Sequence, residues 1–95
     1  MNPDSIRSFQ RKVQEEAVWG PFMKTGDPAF VEAAGYAGCA FAILDMEHGP
    51  ESLQGMQNNI RAAQLTGMLP VVRVSSLSEV AISQALDIGA AGVQI

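Results

Sequence analysis

A chain of 95 residues with a net charge of −4 and a sequence pI near 4.7 has room for one modest core and is mildly acidic. Apolar residues make up 47% and charged residues 17% of it, the balance of a folded domain rather than a disordered one. The acidity, and basic residues scattered except for adjacent Arg11 and Lys12, argue against nucleic acid as a partner.

No apolar run approaches the roughly 20 residues of a membrane helix. Met1-Asn2-Pro3-Asp4-Ser5 does not begin a secretory signal. Cytoplasmic location is therefore the default expectation. Cys39 is the single cysteine, which leaves neither a disulfide framework nor a metal-binding cysteine cluster and suits a small core residue.

Taken in chain order, Asp4 to Glu16 is predicted as a polar helix capped by Asp4, with Ile6, Phe9 and Val13 on one side. Ala17 to Met23 is short and apolar, but Gly20 and Pro21 weaken it as a strand, and Trp19 and Phe22 are assigned to packing. Asp27 and Pro28 open a second helix, with Gly35 as its expected stop. Ala40 to Leu44 is a continuous apolar run suited to a parallel strand buried on both faces.

A third helix is expected over Glu51 to Thr66, where Leu53, Met56, Ile60 and Ala63 recur at three- and four-residue steps and Gly67 closes it. Pro70 to Val74 is the next strand. Ser76 or Ser78 caps a helix carrying Val80, Ile82, Ala85 and Leu86, which stops at Gly89, and a further strand starts at Gly92.

This βαβαβαβ order with short connections predicts a parallel sheet with right-handed crossovers. The expected fold is α/β, the N-terminal half of a (β/α)₈ barrel, in one partial domain: an N-terminal helix over 1–16 and βα units over 17–95. A chain that stops in its fourth strand leaves an open sheet edge, so the expectation is a fragment of a longer protein.

Polar groups gather where such folds keep their chemistry, at the carboxyl ends of strands. Asp45, Glu47 and His48 follow the strand Ala40–Leu44, and Arg73 interrupts the apolar strand Pro70–Val74. A guanidinium there needs an anion, either a ligand or a protein carboxylate such as Asp45 or Glu47. His48, the only histidine, has an ordinary pKa of about 6.5, right for a base near neutrality. Asp87, just before Gly89 at a helix end, is either a solvated residue or a further carboxylate of the site. The glycines do not follow a dinucleotide or P-loop spacing.

Leu44-Asp45-Met46-Glu47-His48-Gly49-Pro50 resembles the D-x-E-H-[GA]-P motif of the HpcH/HpaI aldolases, class II pyruvate aldolases of the phosphoenolpyruvate/pyruvate barrel superfamily. Val71-Val72-Arg73-Val74 looks like that family's V-V-R strand and Leu86-Asp87-Ile88-Gly89-Ala90 like its L-D-x-G segment. Arg73 follows His48 by 25 residues and Asp87 follows Arg73 by 14, in family-like order. Gly38-Cys39-Ala40-Phe41 departs from the family's G-[FY]-D-[WF] by lacking the aspartate.

The resemblance implies cleavage or formation of a 4-hydroxy-2-oxo acid, giving pyruvate plus an aldehyde through a metal-stabilised enolate. His48 would be the base, Asp45 its orienting partner, Arg73 the clamp on the pyruvate carboxylate and keto region, and Asp87 a group raising histidine basicity. Glu47 is a supporting candidate.

The cofactor would be Mg²⁺, Mn²⁺ or Co²⁺, held by a Glu and an Asp on later strands, so no metal ligand is expected in this chain. A homo-oligomer is expected for the full-length protein. The rivals are a CoA-ester lyase or oxaloacetate-using synthase of the same superfamily, and a catalytically inactive fragment or assembly unit.

Overall fold

A computed structural model of the chain describes residues 3–46, 52–74 and 78–95. Its elements follow the expected alternation: α1 (Pro3–Glu15), β1 (Phe22–Met23), α2 (Pro28–Tyr36), β2 (Phe41–Asp45), α3 (Leu53–Leu65), β3 (Leu69–Arg73), α4 (Glu79–Asp87) and β4 (Gly92–Gln94). The four strands form one parallel sheet in the order β1-β2-β3-β4. Strands laid down in chain order, with no reversal, are the winding of a barrel wall rather than of a doubly wound sheet.

Strand alternation separates two layers. Ala42, Leu44, Val72 and Val74 join Val31, Met56, Ile60, Ala63, Met68 and Ala85 in the core between sheet and helices. Phe22, Ile43 and Val71 are register partners; Ile43 and Val71 are partly buried and Phe22 is exposed. They belong to the opposite face, together with the pair Asp45 and Arg73 two residues further along. The edge position of β1 explains why Trp19 and Phe22, assigned to packing from sequence, are exposed instead; Trp19 is 80% exposed. Cys39 packs at the margin of the core.

The helix ends refine the expected boundaries. Asp4 lies inside the first turn of α1 and pairs with Arg7 at 3.2 Å, because the helix already begins at Pro3. Asp27, Ser52 and Ser78 cap α2, α3 and α4, each accepting a backbone N–H with its side chain. Gly67 closes α3 with φ +79°, as its sequence position suggests.

Gly35 does not stop α2, which continues to Tyr36; the left-handed turn falls at Gly38, φ +101°. Gly35 serves a different purpose. A Cβ built there would run into the side chain of Thr66 at the end of α3, so its missing side chain lets α2 and α3 approach. Phe9 of α1 meets Phe41 edge-on, ring centroids 5.8 Å apart, and this seats α1 at the end of the sheet where β2 begins.

Asn59 breaks the apolar stripe of α3. It is buried, and its Nδ2 donates to the Thr25 carbonyl at 2.9 Å, tying the loop after β1 to α3. Its Oδ1 has no hydrogen-bond partner among the described residues.

Gly35→Ala tests the helix contact. Alanine is the better helix former by about 1 kcal/mol, yet overpacking against Thr66 costs about 1–3 kcal/mol. The expected outcome is net destabilisation in urea melts, relieved when Thr66→Gly is added.

Candidate functional site

Adjacent parallel strands in register put equivalent positions side by side, and β2 and β3 end together at Asp45 and Arg73. The guanidinium turns toward β2 and grips the carboxylate with one edge: Arg73 Nη2 donates to Asp45 Oδ2 at 2.9 Å and Arg73 Nε to Oδ1 at 3.3 Å. Asp45 is fully buried, while the arginine side chain keeps 27% of its exposure. Between the partners that sequence left open for Arg73, the described residues supply Asp45. A bidentate contact of this kind fixes both the position and the plane of the fork.

The guanidinium also stands over the face of an aromatic ring. Arg73 Cζ stands 4.8 Å from the centroid of the Phe22 ring, within cation–π range. Three consecutive strands thus contribute a ring, a carboxylate and a guanidinium. Sequence reading placed Phe22 in packing and did not single out Asn59. Phe22 has no local signature of its own, since its partner lies two strands away. Asn59 did have one: a polar side chain between Met56 and Ile60 on an apolar stripe.

Glu47 and His48 lie outside the described residues; in the chain they follow directly on β2 and Met46. Asp87 is exposed and is the last residue of α4. That helix runs back against the strand direction, and the chain then enters β4 beside the first half of β3 through Ala91 N donating to Pro70 O at 2.8 Å. Asp87 therefore stands at the end of the sheet opposite Arg73, and the fold does not bring the two together within one chain.

A cleft of about 470 Å³ also opens at that far end, between α1 and the loops before β2 and β3, lined by Lys12, Gly38, Cys39, Thr66 and others. It is remote from the Arg73–Asp45 pair.

The described residues do not by themselves fit a divalent cation. The buried carboxylate is engaged by a guanidinium, and no three His, Cys, Asp or Glu side chains among them converge. What they do offer is an oriented cation at a strand end, backed by a carboxylate and an aromatic ring, in the position where this type of fold carries out its chemistry.

Comparison with known proteins gives the family. The family model described as HpcH/HpaI aldolase/citrate lyase matches residues 19–95. The chain is 33% identical over 82 residues to the 2-dehydro-3,6-dideoxy-6-sulfogluconate aldolase of Pseudomonas putida, covering 86% of this chain and 32% of that protein. It is 37% identical over 71 residues to a hydroxypyruvate/pyruvate aldolase of Agrobacterium fabrum, covering 75% of this chain and 27% of that protein.

Among solved structures, citrate synthase SbnG is similar with a TM-score of 0.81 at 30% identity, over 90% of this chain and 35% of that one. An HpcH/HpaI aldolase from Desulfitobacterium hafniense gives a TM-score of 0.79 at 25% identity, over 90% and 34%. The chain spans about a third of the length of these relatives.

Removing one member of a buried ion pair costs about 3–5 kcal/mol, because the other charge stays behind in a dry site. Arg73→Met is expected to lose stability at the lower end of that range, since the arginine is partly exposed. Asp45→Leu combined with Arg73→Met is expected to recover part of the loss. Denaturant unfolding of the single and double variants measures both.

Proposed function

Since the chain belongs to the HpcH/HpaI aldolase/citrate lyase family, we propose that it is the opening portion of a class II pyruvate aldolase. The reaction is reversible cleavage of a 4-hydroxy-2-oxo acid to pyruvate and an aldehyde. The observation that carries this reading is the buried Asp45–Arg73 fork at adjacent strand ends, with Asp45 two residues before Glu47 of the Glu47-His48-Gly49-Pro50 segment. The 4-hydroxy-2-oxovalerate aldolase of Novosphingobium aromaticivorans, 32% identical over 87 residues, supports the same substrate class.

In this reading Arg73, held in one plane by Asp45, binds the carboxylate and keto region of pyruvate. Its positive charge stabilises the enolate as negative charge develops, which requires no reorganisation at the moment of reaction. His48 takes the proton that is lost on cleavage, from the aldol hydroxyl or through a water. Asp45 serves the site by fixing Arg73 and also orients His48; Glu47 supports the same turn.

Asp87, at the other end of the sheet, serves the site only by way of a second copy. Its role in raising histidine basicity therefore goes with a homo-oligomer. The divalent ion of the proposal, Mg²⁺, Mn²⁺ or Co²⁺, polarises the keto group when bound and is held by groups outside the described residues. A cytoplasmic location completes the reading; no helix among the described residues is long and apolar enough to cross a membrane.

A second reading, a citrate-synthase type of carbon–carbon bond formation, is favoured by the likeness to SbnG. It uses the same oriented cation for a different 2-oxo acid.

Pyruvate release from a 4-hydroxy-2-oxo acid tests the proposal. The activity is expected to stop with chelator and return with a divalent ion. His48→Ala is expected to lower kcat by about 10²-fold or more, and Arg73→Ala to raise KM for the 2-oxo acid as well as lower kcat. Full activity in His48→Ala would remove the base, and unchanged kinetics in Arg73→Ala would remove the clamp. Citrate formation when oxaloacetate and an acetyl thioester are supplied, with no pyruvate release from the 4-hydroxy-2-oxo acid, would select the second reading.

A further inference from the structure

We propose that Phe22 is a positioning residue for the anion site, its ring holding the Arg73 guanidinium in the plane that presents it to a small 2-oxo acid. The proposal rests on the reading of Arg73 as a pyruvate clamp.

Phe22 is not a member of the core formed by the described residues. Of the two residues of β1, Met23 packs against the core, whereas Phe22 is 45% exposed on the opposite face of the sheet. What the ring does touch is the guanidinium: Arg73 Cζ lies 4.8 Å from its centroid. The register shows how far the arginine reaches for this contact. Phe22 is level with Ile43 and Val71, two residues short of Asp45 and Arg73. The side chain therefore leans back across β2 toward β1.

A planar ion held along one edge can still rock about that edge. The Asp45 fork sets position in the plane, and a second contact, through the Phe22 ring 4.8 Å from Cζ, limits the remaining rotation. The ring also shields one face of a pair whose carboxylate is fully buried, which strengthens the attraction between the charges. Arginine orientation in this site is thus over-determined by two neighbours on two different strands. Such over-determination is what binding a planar carboxylate in one geometry requires.

The test is titration of the protein with pyruvate, followed by chemical-shift changes that report weak binding, in wild type, Phe22→Leu, Phe22→Trp and Arg73→Ala. Phe22→Leu keeps apolar bulk and removes the π face; Phe22→Trp keeps the face. The expected result is a Kd raised roughly five-fold in Phe22→Leu and held within about two-fold in Phe22→Trp. The Arg73 Nε–H signal is expected to exchange faster with water in Phe22→Leu, with thermal unfolding little changed.

Wild-type affinity in Phe22→Leu, or equal weakening by leucine and tryptophan, overturns the positioning role even where Arg73→Ala abolishes binding. Equal titrations of wild type and Arg73→Ala instead bring down the clamp reading itself, and the role of Phe22 with it.

Discussion

The Arg73–Asp45 ion pair is the constraint around which the strand-end region of this chain is organised. A fully buried carboxylate at the end of an apolar strand has an energetic cost in isolation. It is offset here because the neighbouring strand ends at the same level with a guanidinium whose geometry matches two carboxylate oxygens. The match depends on register: a one-residue slip of β3 against β2 would move Arg73 to the helix-covered face and Val72 or Val74 to the other. The hydrophobic layer and the charged pair therefore specify the same alignment, and neither is satisfied without the other.

The layers beneath the pair serve that alignment. Helices α2 and α3 lie close because Gly35 leaves space for Thr66. Asn59 anchors the segment after β1 by its bond to Thr25, which keeps the entrance to α2 next to the strand that carries Phe22. Side-chain caps at Asp27, Ser52 and Ser78 start three helices at the strand-end side of the sheet, where first-turn N–H groups would otherwise lack acceptors. The site is thus supported by short, local devices, each tying one βα connection to its neighbour.

Much of this was legible in the sequence. Apolar runs of strand length, glycine stops and Asp or Ser caps gave the element order, and the boundaries moved by only a few residues. The D-x-E-H-G-P and V-V-R segments pointed to the strand ends that the structure brings together. What could not be read was contact between elements.

Gly35 looked like a helix stop because a glycine near a helix end usually is one; its actual reason, Thr66, lies 31 residues further on. Trp19 and Phe22 looked like packing residues because aromatic side chains usually are buried, and only the position of β1 at the sheet edge reverses that. The partner of Arg73 stayed open between two carboxylates and a ligand because register, which sets Asp45 beside it, is a tertiary property. Asp87 falls in a family-like segment, yet its helix carries it to the far end of the sheet.

The strand order also bears on how the chain acquires its structure. Register partners are separated by 21 to 28 residues, from Phe22 to Ile43, Ile43 to Val71 and Val71 to Gly92. Each of β2, β3 and β4 pairs with the strand made just before it. Loop closure at these lengths carries a small and nearly constant entropy cost, and a chain emerging from the ribosome from its N-terminus can add each βα unit to a template already in place. The ring, the carboxylate and the guanidinium are synthesised in that same sequence, so the site assembles in step with the sheet.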